Sequence, residues 1–187
     1  MGLVPIGVST MTTETLSREE REFSELKNVK VVFDVGAKNT KYPSIKPKAT
    51  YHLFEPNPKH FASLPKGDKI IANNYGLGDK EEYREYDDIS EAFAGSEALP
   101  NEVNGPAYCI RTLDNYVKEN KIKRIDFLKI DTEGMDYKVL LGGKEALKMV
   151  KTLQYEYWNH PEWFTELLTD FTCKDIGERN ILCSRMY

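Results

Sequence analysis

Acidic residues recur in this chain at the ends of short apolar runs, where carboxylates can do chemistry. Asp34 closes VVFD and is followed by Gly36; Glu55 closes YHLFE; Gly78 and Asp79 end NNYGLGD; Asp131 closes FLKID, with Glu133 and Gly134 next; Glu156 closes LQYE. One acid after an apolar run is commonly a helix cap. Five gathered at one rim repel one another unless a ligand or metal uses them. Gly36 would let backbone approach a ligand where a Cβ clashes. Glu55 lies about 20 residues beyond that glycine, the place from which a carboxylate accepts hydrogen bonds from both hydroxyls of a ribose. Asp79 could accept one from an adenine amino group. Asp131 and Glu133 are two apart at a strand end and so share a side. With Glu156 and His160, they are the candidate bases. His160, in YWNHP, has a suitable ordinary pKa but could equally cap the turn before Pro161. His52 reads as packed within its strand or on the sheet face, and His60 as exposed on a helix.

These residues need a sheet to bring them together, and the sequence predicts one. VKVVFDV (29–35), TYHLFEP (50–56), KIIANNYGL (69–77), AYCIR (107–111), RIDFLKID (124–131) and KTLQYEYW (151–158) read as strands, and EEYREYD (81–87) as an edge strand. Helices are expected over 15–27, where Ser17 and Glu20 make a capping box, and over 58–64, 112–120 and 161–168. Another is expected over 136–150, broken at Gly142 and Gly143. The tail, 170–187, predicts an antiparallel hairpin about GERN. Strands alternating with helices imply a mostly parallel α/β sheet with right-handed crossovers, and ligands bind outside the carboxyl ends of such strands. Residues 89–106 lack periodicity and read either as a lid or as a surface insertion. Tyr155, Tyr157, Trp158 and Trp163 read as core first and as a sugar-stacking or cation-facing surface second.

The chain has 187 residues, a net charge of −4 and 30% charged residues. That suits one domain over 15–187 behind a flexible leader, 1–14. The charge disfavours nucleic acid as a partner. No apolar run is long enough to span a bilayer. The three cysteines show no CxxC spacing and no export signal precedes them. Free thiols and a reducing, cytoplasmic location are therefore expected, with Cys173 and Cys183 as core thiols rather than a cross-strand disulfide.

FDVGA, YHLFEPNP, NNYGLGD, RTLDNY and IDFLKIDTEGMDYKVLLGG, in this order, resemble the FkbM family of S-adenosylmethionine (SAM) dependent methyltransferases. The resemblance implies a Rossmann-like class I methyltransferase fold and O-methyl transfer, commonly to a sugar hydroxyl. It implies that Asp34, Gly36 and Ala37 line the cofactor loop, that Glu55 holds the ribose, and that Asp131 and Glu133 lie beside the methyl group. With Lys38, Gly78 and Asp79 these make the expected cofactor set. The acceptor expected is a free, nucleotide-linked or glycan-bound sugar. Two carboxylates, Asp131 and Glu133, are a thin basis for a divalent ion, and no metal is expected.

The chain departs from the family at GAKNTKY. Lys38 and Thr40 stand where the family loop has Asn and Gly, and Pro43 and Pro47 shorten the following helix. Lys38 could pair with the SAM carboxylate, and Thr40 could cap the short helix while its N–H faces the ligand. Lys41, Lys46 and Lys48 could attract an anionic acceptor or simply be solvated. Two rivals follow: a methyltransferase-like module that binds without turnover, and a nucleotide- or NAD-binding Rossmann domain, which the absence of GxGxxG opposes.

Overall fold

The computed structural model describes residues 16–86, 93–98, 107–157 and 162–186. In chain order the elements are α1 (Arg18–Glu25), β1 (Val31–Val35), α2 (Tyr42–Ile45), β2 (Thr50–Phe54), α3 (Pro58–Ser63), β3 (Ile70–Asn73), β4 (Gly76–Gly78), β5 (Glu82–Tyr86), β6 (Phe93–Ala98), β7 (Ala107–Thr112), α4 (Leu113–Glu119), β8 (Ile125–Ile130), α5 (Asp136–Leu141), α6 (Lys144–Leu147), β9 (Val150–Glu156), α7 (Glu162–Leu167), β10 (Phe171–Gly177) and β11 (Asn180–Arg185).

The main sheet has seven strands in the order β10-β11-β9-β8-β1-β2-β3. β3, β2, β1, β8 and β9 run parallel, and β11 and β10 close the sheet as an antiparallel hairpin. Strand order reverses between β1 and β8, which makes that boundary the switch point where ligands bind. β8 is buried at all six positions, as a strand covered on both faces must be. One apolar cluster (Phe33, Leu128, Ile130, Leu153 among others) fills one face of the sheet. A second, around Phe23, Tyr42, Tyr51 and Phe127, fills the other.

Local chemistry fixes several boundaries. The Ser17–Glu20 capping box starts α1. Asn57 accepts a hydrogen bond from the Lys59 N–H and starts α3, with Pro58 in its first turn. Thr112 caps α4. The helix predicted over 136–150 breaks into α5 and α6 at Gly142 and Gly143. There a Cβ on Gly142 would meet the Gly78 carbonyl at 1.9 Å, so backbone packs on backbone.

Four expectations are corrected. The run 69–77 is two strands, β3 and β4, which belong to different sheets. β4 joins a four-stranded sheet ordered β4-β7-β5-β6, and β5 lies inside it between β7 and β6 rather than at an edge. The segment 89–106 holds the strand β6, so it is not wholly irregular. Cys173 and Cys183 are directly opposite in the β10–β11 ladder and form a disulfide, not two free thiols. Such bonds persist where thiols are oxidised, so the argument from free thiols for a reducing compartment falls. No helix among the described residues is long and apolar enough to cross a membrane.

Candidate functional site

A cavity of about 470 Å³ opens at the carboxyl ends of β1, β2 and β8, a size typical of small-molecule sites. Asp34, Gly36, Lys38, Glu55, Asp131 and Glu133 all line it. The structure therefore brings together six of the residues singled out from the sequence. Ala37 is buried beside them in the second core cluster. Gly78 packs under Gly142, and Asp79 is exposed; neither lines the cavity. Glu156 also stands apart, its carboxylate 2.9 Å from Arg179 Nη2. His160 and Trp158 lie outside the described residues. The rim of five acids thus reduces to acids from three strands: Asp34 in β1, Glu55 after β2, and Asp131 with Glu133 after β8.

Asp34 is not at the end of its strand but one residue inside it, and it is fully buried. Neither carboxylate oxygen has a hydrogen-bond partner among the described residues. The register of β1 on β8 sets Asp34 opposite Lys129, whose Nζ is 3.6 Å away. The same ammonium lies 3.0 Å from Asp131 Oδ2 and 6.0 Å from the Tyr42 ring centroid. Burial pushes the Asp34 carboxyl up, and Lys129 and the nearby Thr40 hydroxyl pull it only part of the way back. Burial alone would lower Lys129, but Asp34 and Asp131 outweigh it and hold the ammonium well above the ordinary lysine value. Sequence reading missed Lys129, since one lysine in an apolar strand signals nothing by itself. Its spacing of two from Asp131 was the available clue.

The glycine loop is shaped by its own backbone. Gly36 has φ +83°, and a Cβ there would sit 1.8 Å from the Asp131 carbonyl. The β8 loop thus approaches Gly36 closely, while Gly36 also lines the cavity. The amides of Gly36 and Ala37 both donate to the Phe54 carbonyl, at 3.0 and 3.1 Å. The Thr40 N–H donates to the Ala37 carbonyl at 3.1 Å, and the N-cap of α2 is Lys41, with no side-chain cap bond, so both roles expected of Thr40 fail. The Tyr51 hydroxyl, 2.8 Å from the Tyr42 carbonyl and 3.0 Å from that of Lys46, ties the four-residue α2 instead. Lys41 pairs with Glu20 at 3.5 Å. Lys46 donates to the Ser24 carbonyl at 2.8 Å. Much of the lysine charge is thus used inside the molecule.

Glu55 accepts a hydrogen bond from the Asn57 N–H at 2.9 Å. Burial raises its pKa, while that N–H and the charge of Lys38 lower it. Lys38 therefore acts on Glu55, at the end of the cavity away from β9. His60, expected to be exposed, is half-buried in the cavity lining with Nδ1 3.9 Å from Glu55 Oε1. His52 is packed, as expected: its ring lies 4.5 Å from Phe33.

The loop after β8 is held by a residue the sequence did not flag. Asp136 accepts from the Thr132 hydroxyl at 2.6 Å, the Thr132 N–H at 3.2 Å and the Glu156 N–H at 3.1 Å. These bonds fold TEGMD back over β9, with Glu133 and Gly134 at φ +54° and +105°, so Glu133 projects into the cavity from a left-handed turn. Tyr155 is core, stacked on Phe164 at 4.3 Å, and Trp163 is 47% exposed. No group of three or more metal-ligating side chains is placed to hold an ion among the described residues.

The profile of the methyltransferase FkbM domain matches residues 34–174. A search of curated proteins returns no match. Among solved structures, an FkbM methyltransferase from Methylobacillus flagellatus KT aligns with a TM-score of 0.57 at 12% identity, over 86% of this chain and 47% of that one. The chain thus spans about half the length of that protein. A Methanococcus jannaschii fibrillarin pre-rRNA processing protein aligns at 11% identity with a TM-score of 0.46, over 85% of this chain and 66% of that one. The strand order, the mostly parallel sheet with its terminal hairpin, and the first of these likenesses define a Rossmann-like class I methyltransferase fold. With its matched region running from Asp34 into β10, the chain belongs to the FkbM methyltransferase family.

Proposed function

We propose that the chain is a SAM-dependent O-methyltransferase acting on a carbohydrate hydroxyl. The observation that carries this reading is the cavity at the β1–β8 switch point, where buried Glu55 ends one strand and buried Asp34, whose oxygens accept no hydrogen bond among the described residues, lies in the next. A buried carboxylate with no hydrogen bond of its own and a second acid placed for a ribose fit a nucleoside carrying a cation. Glu55 would accept from the ribose hydroxyls; Asp34 and Asp131 would lie toward the sulfonium end. When bound, SAM supplies an electrophilic methyl group.

The chain's own residues then have limited tasks. A sugar hydroxyl is a weak nucleophile at neutral pH, so orientation and a nearby proton acceptor matter most. Asp131 and Glu133 line the cavity beside Gly36 and are the candidate acceptors of that proton. Lys129, 3.0 Å from Asp131, orients it.

Calorimetric titration with S-adenosylhomocysteine (SAH), beside NAD, tests the cofactor reading. Micromolar SAH binding and no NAD binding are expected, and methylation assays on a panel of sugars then test the acceptor. Glu55→Ala should weaken SAH by about 1–3 kcal/mol through lost charge-assisted hydrogen bonds. An unchanged affinity would remove Glu55 from the ribose role. SAH binding with no turnover on any acceptor would instead favour a binding module.

A further inference from the structure

Glu19 also lines the cavity, yet it belongs to α1, which precedes the matched family region of 34–174. Its carboxylate is held from outside its own helix. Oε2 accepts from Gln154 Nε2 at 3.1 Å, and Oε1 from Asn180 Nδ2 at 3.0 Å. Those amides stand on β9 and β11. The helix is fixed at its start by the Ser17–Glu20 box and in its middle by Phe23, which is wholly buried against Tyr42 and Phe127. Residues held at both ends like this do not merely solvate a surface.

The registers locate Glu19 relative to the rest of the site. Leu53, Asp34, Lys129 and Gln154 form one row across β2, β1, β8 and β9. Glu55 stands two residues beyond Leu53, and Glu19 is bonded to Gln154 at the row's other end. Strands are spaced about 4.8 Å apart, so Leu53 and Gln154 stand roughly 14 Å apart, with Asp34 between them and Glu55 and Glu19 toward the two ends of the row. Burial raises the Glu19 pKa and Lys129 lowers it, which puts that ammonium among three carboxylates: Glu19, Asp34 and Asp131. The end of the cavity away from Glu55 is therefore lined by three carboxyl groups around one ammonium.

Resting on the SAM reading above, we propose that Glu19 discriminates the donor from its product: its carboxylate acts on the sulfonium end of the cavity, favouring cationic SAM over neutral SAH. Loss of the methyl group removes the positive charge, and with it the attraction, which aids product release.

Calorimetry with SAM and with SAH on wild type, Glu19→Gln and Phe23→Leu tests this without an acceptor. Glu19→Gln should weaken SAM about tenfold and SAH less than about threefold, the effect of one charge at short range in a partly screened site. Phe23→Leu loosens the helix but keeps the carboxylate, and should leave the SAM/SAH ratio as in wild type. An equal loss for both ligands in Glu19→Gln, or no loss, overturns the proposal. So does a ratio shift reproduced by Phe23→Leu. Failure of wild type to bind either ligand would instead overturn the SAM reading itself and is visible before any variant is made.

Discussion

At the scale of single residues, burial decides charge. His52 is 7% exposed, its Nδ1 2.7 Å from the Tyr116 hydroxyl, and burial lowers its pKa from 6.5 to about 4. Because the folded pKa is depressed, the unfolded chain binds more protons between those values. His52 therefore costs nothing above pH 6.5, and stability falls as pH drops from 6.5 through about 4, by up to about 3 kcal/mol. Urea midpoints at pH 7 and pH 4.5 should differ by more in wild type than in His52→Asn, and parallel losses would mean that another group carries the acid sensitivity. The sequence made Asp34, Glu55, Asp131 and Glu133 legible because strand ends are local signals. It hid Lys129, His60 and Glu19, whose roles come from registers and packing between distant segments. Gly36 was found, but its second constraint was not visible: its left-handed φ and the Asp131 carbonyl at 1.8 Å from a would-be Cβ make glycine a requirement of backbone crossing as well.

Elements were readable where their boundaries rest on caps and breakers. The capping box, Pro58, the Gly142–Gly143 break and the GERN turn each act within a few residues. The division of 69–77 into β3 and β4 was not readable, since both halves look like strand and only the second sheet, formed with β7, separates them. The hairpin shows the same limit. Its turn was placed, but whether Cys173 and Cys183 face each other depends on a register that shifts between Asp175 and Gly177. The bond closes a loop with a sequence separation of 10, so Cys173→Ser should lower stability by about 2–3 kcal/mol by freeing the unfolded chain. Denaturant unfolding of wild type with and without reductant checks this; reduction should bring wild type to the variant's midpoint. If reductant leaves wild type unchanged, the two thiols are not bonded in solution.

Over the whole molecule, the FkbM region holds most of the sheet and of the cavity lining, while β11 and α1 lie outside it and α1 closes one wall. The helix is tied to distant parts of the chain: Phe23 to Phe127 at 4.8 Å between ring centroids, Ser24 to Lys46 at 2.8 Å, Glu22 to Lys174 at 2.7 Å, and Glu19 to β9 and β11. Removing residues 1–27 would expose the pocket that Phe23 fills and leave the Gln154 amide only its longer bond to Asn180, at 3.5 Å. Loss of a buried phenylalanine alone costs about 3–5 kcal/mol, and in a domain of this size each kcal/mol moves the melting temperature by about 2–4 °C. The truncated chain should therefore melt roughly 10 °C or more below the full one, provided that it folds. Full-length Phe23→Ala should show a similar loss, which keeps the prediction measurable if the truncation aggregates. Unchanged melting in both would mean that α1 is an appendage, and the wall it gives the cavity would then have no structural hold.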